Sequence, residues 1–176
     1  GIGALYVRKI NPRVRVTPLI HGGGHERGMR SGTLNVPGIV GLGVAAEIAR
    51  NGLQGTADRL LALRNRLWYG LQAAIQPIYL NGHSSLRLPS NLNITIPGIE
   101  NRSMLLHLKH TLSISAGSAC TTMTVEPSYV LTAMGFSAEY AHNTLRIGLG
   151  RGNTTEEVDI AIEQITRAYE KIRRMA

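Results

Sequence analysis

The sequence predicts an α/β fold in which a short α/β segment is followed by a compact α+β domain. Three observations carry that prediction. Apolar residues recur at helical spacing over 39–49, 60–75 and 158–172. Short apolar or alternating runs at 78–80, 91–97 and 144–149 have the character of strands. The links between the two kinds of segment are short, which is how alternating elements pack into layers around one core.

Taken in order, residues 4–8 and 13–17 run apolar or alternate around Asn11-Pro12 and read as two strands joined by a turn. Arg13 and Arg15 share one face of the second, a solvated edge. Residues 21–33 contain Gly22, Gly23 and Gly24, which permit a close approach of backbone to another group. Such a loop can offer N–H groups to an anion, and Arg30, Ser31 and Thr33 add donors suited to phosphate. It is not a Walker loop, because no Gly-Lys-Ser/Thr follows at the required spacing. His21 and His25 would share a metal only on a helix, and the glycines between them argue against one.

Pro37 marks a helix start, with Ile39, Leu42, Val44, Ala45, Ile48 and Ala49 following until Asn51-Gly52 stops it. A second helix from Thr56 carries Leu60, Leu63, Leu67, Leu71 and Ile75 on one face, with arginines opposite. The Gly52–Gly55 stretch between them divides the chain into 1–53 and 54–176. Asn91–Pro97 alternates as a half-buried strand, and Ser103–His110 reads as a helix with Met104, Leu105 and Leu108 inward and His107 and His110 on its surface. Leu112–Ile114 is a short strand. Pro127 then sits at the first position of a helix ended by Gly135, and Ser137 caps the next one. Thr144–Leu149 is a strand containing Arg146, whose burial among apolar residues would require an anionic partner. An ion pair with Glu126 or Glu139 is one such partner, and a substrate carboxylate held bidentately is the other. Thr154 and Glu157 form a capping box, and Val158, Ile162, Ile165, Tyr169 and Ile172 stripe the closing helix.

Cys120 is the only cysteine. A lone cysteine is often an inert small hydrophobe. Here Ser115, Gly117, Ser118, Thr121 and Thr122 offer little apolar surface against which to bury a thiol, and a Gly/Ser/Thr cluster between periodic segments reads as a loop. A loop gives a thiolate the access that its chemistry needs.

Composition excludes several classes. With 43% hydrophobic and 17% charged residues the chain is built to fold rather than to stay disordered. No apolar run approaches the length of a membrane span, so no membrane role is expected. One cysteine excludes an internal disulfide framework and suits a reducing, cytoplasmic setting. The net charge of +8 rests on 16 arginines and three lysines, but these are scattered, and a single Phe and a single Trp give no stacking platform, which argues against nucleic acid. The first residues lie inside an apolar run without an initiator Met, as expected of a piece of a longer protein.

Three blocks carry a more specific signal: His21-Gly-Gly-Gly-His-Glu-Arg-Gly-Met-Arg-Ser-Gly-Thr-Leu34, Ser113–Pro127 with Ser-Ala-Gly-Ser-Ala-Cys-Thr at its centre, and Leu145-Arg-Ile-Gly-Leu-Gly-Arg151 leading into Thr154–Asp159. In this order they resemble the group I cysteine desulfurases, over nearly the whole chain. The resemblance implies the C-terminal part of a fold-type I enzyme dependent on pyridoxal 5′-phosphate (PLP), of the class-V aminotransferase family. Residues 1–53 would be the remainder of the PLP-binding large domain, and 54–176 the small α+β domain that carries the cysteine loop. It further implies a homodimer that converts L-cysteine to L-alanine. Cys120 would keep the sulfur as a persulfide for an iron-sulfur scaffold protein and other sulfur acceptors. Arg146 would bind the α-carboxylate, and Thr33 the phosphate of PLP held mainly by the other subunit. The basic stretch at Arg13 and Arg15 would help to dock acidic acceptors.

The family's Schiff-base lysine lies in a Ser-Gly-His-Lys motif, in which none of Lys9, Lys109 and Lys171 stands. The isolated chain is therefore expected to be inactive; the alternative is a catalytically incomplete module for folding, dimerisation or partner binding. Ala116, Thr122, Met123, Thr124 and Gly152-Asn153 depart from the family pattern, in places that bear on loop mobility and acceptor choice.

Overall fold

The structure is a computed structural model that describes residues 1–116 and 126–175. Its contacts divide the chain into two compact units, Gly1–Leu53 and Gln54–Ala176. The first contains a 3₁₀ turn at Glu26–Gly28 and the start of a long helix. The two strands expected over 4–8 and 13–17 do not form. One backbone hydrogen bond crosses the turn, from Val14 N–H to Arg8 C=O, and a two-stranded ribbon with so little pairing does not hold a ladder. Arg13 and Arg15 are exposed.

Helix α1 spans Val36–Ala74, 39 residues. The side chain of Asn35 accepts a hydrogen bond from Gly38 N–H, a polar start one residue ahead of Val36 and Pro37. The break expected at Asn51-Gly52 is absent. A glycine inside a helix costs only about 1 kcal/mol relative to alanine, too little to stop a helix that packing favours. That packing lies in the second unit, where Leu60, Leu63, Leu67 and Leu71 are buried, followed by Ile75. Arg59 and Arg66 lie on the exposed side as expected, whereas Arg64 is buried.

The second unit is built on a three-stranded antiparallel sheet in the order β1 (Tyr79–Leu80), β2 (Asn91–Thr95), β3 (Thr144–Gly148). One face carries Leu80, Leu92, Ile94, Leu145 and Ile147 into the core, against residues of α1, of α2 (Asn101–Leu108) and of α5 (Thr155–Met175). Met104 and Leu108 of α2 point inward as expected; His107 is half-buried rather than on the surface, and His110 is exposed. In α5, Val158, Ile165 and Tyr169 are buried, with Ile162 and Ile172 packed at the margin. The capping box forms as read: Glu157 N–H donates to Thr154 Oγ1, and Thr154 N–H donates to Glu157 Oε2. Arg59 donates to the carbonyls of Arg151 and Asn153, and Arg66 pairs with Asp159 at 2.6 Å, so α1 and α5 are clamped along their exposed flank.

The other face of the sheet is polar. By register it presents Tyr79, Thr95 and Thr144 in one row and Asn93 and Arg146 in the next. Two short helices follow one another before β3: α3 (Tyr129–Ala133) and α4 (Ala138–His142). Pro127 precedes α3 by two residues instead of opening it. Helix α3 ends in a Schellman motif, with Gly135 at φ +88°, Gly135 N–H donating to Thr132 C=O and Phe136 N–H to Leu131 C=O. Ser137 caps α4 by accepting from Tyr140 N–H, as expected.

Candidate active site

Arg146 is the sequence-predicted residue whose placement is clearest. In β3 Leu145 and Ile147 are buried while Arg146 is exposed, on the polar face of the sheet. The desolvation argument made from its apolar neighbours in sequence therefore does not apply: Leu145 and Ile147 point to the opposite face. Among the described residues its guanidinium makes no ion pair, with Glu126 and Glu139 in particular. A cation left open on a polar face is free to take an external anion.

Its backbone is fully used. Arg146 N–H donates to Ser115 C=O at 2.7 Å and Ser115 N–H donates to Arg146 C=O at 3.1 Å. This isolated bridge is what forms in place of the strand expected at Leu112–Ile114. It makes Ser115 the neighbour of Arg146 on the edge of the sheet. Cys120 and most of the run around it lie outside the described residues. Ser115 stands five positions before Cys120 in sequence.

The polar face is ordered by a hydrogen-bond network that sequence reasoning missed. Tyr140 OH donates to Asn81 Oδ1 at 2.8 Å, and Asn81 Nδ2 donates to Asn93 Oδ1 and to Thr95 Oγ1, both at 2.8 Å. Thr95 and Thr144 hydroxyls meet at 2.7 Å, and Thr144 Oγ1 donates to Tyr140 C=O. Phe136 stacks on Tyr140 with ring centroids 4.5 Å apart. The available signal was the alternation Asn91-x-Asn93-x-Thr95, which marks a polar face beside the strand that carries Arg146.

Thr33 belongs to the first unit. It is exposed, and its hydroxyl makes no hydrogen bond among the described residues. The loop before it is held by its own contacts. Gly24 N–H donates to Ser31 Oγ, Gly32 N–H donates to His25 Nδ1, and Arg30 Nη1 donates to the carbonyls of Ser31 and Gly32. Gly32 stands at φ +114°, a conformation open to glycine. His25 is thus engaged in shaping the loop. An open hydroxyl two residues before the Asn35 cap is a donor that fits a phosphate oxygen.

The fold and this site place the chain in a known class. The family model for class-V aminotransferases matches residues 1–160, and the chain belongs to that family. Its relatives narrow the class. "Cysteine desulfurase IscS" of Anaeromyxobacter sp. (strain Fw109-5) is 49% identical over 176 residues, all of this chain and 43% of that protein. The same-named protein of Rickettsia prowazekii (strain Madrid E) is 48% identical over all of this chain and 42% of its own length. Among solved structures, the NifS-like protein of Rickettsia africae ESF-5 aligns with a TM-score of 0.77 and 29% identity, covering 89% of this chain and 41% of that one. The chain therefore spans less than half the length of the relatives it matches. It has the fold of part of a fold-type I enzyme.

Proposed function

We propose that this chain is the thiol-bearing part of a PLP-dependent cysteine desulfurase, which converts L-cysteine to L-alanine and hands the sulfur to an iron-sulfur scaffold protein or other acceptors. The observation that carries the reading is Arg146, exposed on the polar face of the sheet and bridged to Ser115 at the start of the Cys120 segment. The whole-length identity to curated cysteine desulfurases supports the same reading.

Arg146 holds the substrate by its α-carboxylate, through two parallel N–H···O bonds. The Cys120 thiolate attacks the substrate sulfur. A sulfur–sulfur bond forms and the carbon–sulfur bond breaks; its electron pair stays with the substrate carbon, which takes up a proton to give alanine. When bound, PLP supplies the electron sink that makes that cleavage possible. Thr33 would donate to the phosphate of the PLP held mainly by the partner subunit, and the lysine that would hold PLP is none of Lys9, Lys109 and Lys171. Cys120 then passes the persulfide sulfur to the acceptor.

In this reading Gly1–Leu53 is the end of the PLP-binding large domain, and Gln54–Ala176 the small domain. The enzyme works as a cytoplasmic homodimer, and the Thr33 hydroxyl serves the partner's cofactor. The exposed apolar residues Val40, Val44, Ile48 and Leu53 of α1 support a role for that segment in assembly. Among the described residues no helix is long and apolar enough to cross a membrane. The test is alanine release from L-cysteine by the complete PLP-loaded enzyme, beside Cys120→Ala. Loss of alanine formation together with loss of a protein-bound persulfide is expected; alanine formation that survives in Cys120→Ala would overturn the assignment.

A further inference from the structure

The network on the polar face has only one consistent direction. Tyr140 C=O can only accept, so Thr144 Oγ1 donates to it and accepts from Thr95. Thr95 Oγ1 has then used its proton and accepts from Asn81, which fixes the Asn81 amide with its N–H₂ toward Thr95 and its oxygen toward Tyr140 OH. The second Asn81 N–H reaches Asn93, so Asn93 offers its oxygen to Asn81. The Asn93 N–H₂ is the end of the chain, on a half-buried side chain.

Asn93 and Arg146 are directly opposed in the register of β2 and β3. Both hydrogen bonds of the Arg146 backbone go to Ser115, so Asn93 and Arg146 form a non-hydrogen-bonded pair. In such pairs the side chains stand closest, with Cβ atoms roughly 4.5–5.5 Å apart on one face. The amide and the guanidinium are thus neighbouring donors, and no described carboxylate neutralises them.

We propose that Asn93 is a second binding residue for the substrate carboxylate, its amide N–H₂ completing with Arg146 a donor set oriented by Tyr140, Thr144, Thr95 and Asn81. The proposal rests on the reading of Arg146 as the carboxylate-binding residue.

The test is calorimetric binding of L-alanine and of ethylamine, which is L-alanine without its carboxyl group, to the complete PLP-loaded enzyme. Asn93→Ala is expected to weaken L-alanine about tenfold, the loss of one hydrogen bond to a charged group, with ethylamine unchanged. Asn93→Asp keeps the acceptor for Asn81 but sets a carboxylate beside Arg146, and is expected to weaken L-alanine further. Because it preserves the network, it decides the matter where Asn93→Ala fails to fold. If both variants bind L-alanine as the parent does while Arg146→Ala does not, the role of Asn93 is overturned and the reading of Arg146 stands. If Arg146→Ala also leaves L-alanine unaffected, both fall.

Discussion

Ser115 and Arg146 exchange two backbone hydrogen bonds, at 3.1 and 2.7 Å, outside any regular strand pairing. The pair fixes where the cysteine-bearing segment leaves the sheet: beside the arginine read as the substrate-binding residue. Ser115→Pro removes the N–H donor and Ser115→Ala keeps both bonds. In the complete enzyme the proline variant should lower alanine formation on the order of a hundredfold, the scale of a small misplacement at a reacting centre. The alanine variant, which keeps both backbone bonds, should lose less. Equal rates for the two would show that the bridge has no part in placing the thiol.

The α1–α5 clamp gives a pH signature. Hydrogen bonding from Arg66 is the main reason that the Asp159 carboxyl titrates below the ordinary aspartate range, with the charge of Arg66 adding to it. A depressed acid contributes stability above its unfolded pKa, near 4, and that contribution is lost as pH falls through the lower folded value. Asp159→Asn should therefore be less stable than the parent at pH 7 and indistinguishable from it at the acid end. Urea unfolding across that range measures the difference. A gap that persists at the lowest pH would assign it to packing, and because the pair is exposed, salt should narrow the gap at pH 7.

Gly70 of α1 faces the side chain of Ile162 in α5. A Cβ built there would collide with Ile162 Cδ1 and lie 3.0 Å from its Cγ1. Ile162 is β-branched and stiff in a helix, so it yields little. Gly70→Val should cost about 1–3 kcal/mol in denaturant unfolding, the range of overpacked cores. An unchanged midpoint would mean that the two helices slide apart freely.

Arg64 is 7% exposed, donates Nε and Nη2 to Asn65 Oδ1, and leaves Nη1 buried without a hydrogen-bond partner among the described residues. Burial foremost, and then the charge of Arg64, lowers the pKa of Arg87 nearby. An uncompensated buried cation is a liability that an apolar side chain of similar length removes. Arg64→Met should leave this chain as stable or raise its stability by about 1 kcal/mol, as read from the urea midpoint. A comparable loss would show that Nη1 has a partner outside the described residues.

The readings that held were those governed by neighbours in sequence. Thr154 and Glu157 cap α5 because each reaches the other's N–H across three residues, and Gly135 ends α3 because the Schellman geometry needs a positive φ. The stripes Leu60–Leu71 and Val158–Tyr169 are buried because helical period alone puts them on one face. The readings that failed depended on competition between distant parts. Asn51-Gly52 has the composition of a helix end, yet the packing around Leu63 and Leu67 outweighs so small a local cost. The strands expected on either side of Asn11-Pro12 have the right residues but too few pairing partners.

The sequence by itself determined the family, the helical faces, the caps, and Cys120, Arg146 and Thr33 as the residues to weigh. Each is a matter of residue type and short spacing. Only the tertiary structure decided that Arg146 faces outward, that Ser115 is its neighbour, and that Tyr140, Asn81 and Asn93 form one oriented network ending at the residue opposite it. Strand register joins residues up to 65 positions apart in the chain, Asn81 to Arg146 through Asn93, and no local pattern encodes which rows will meet.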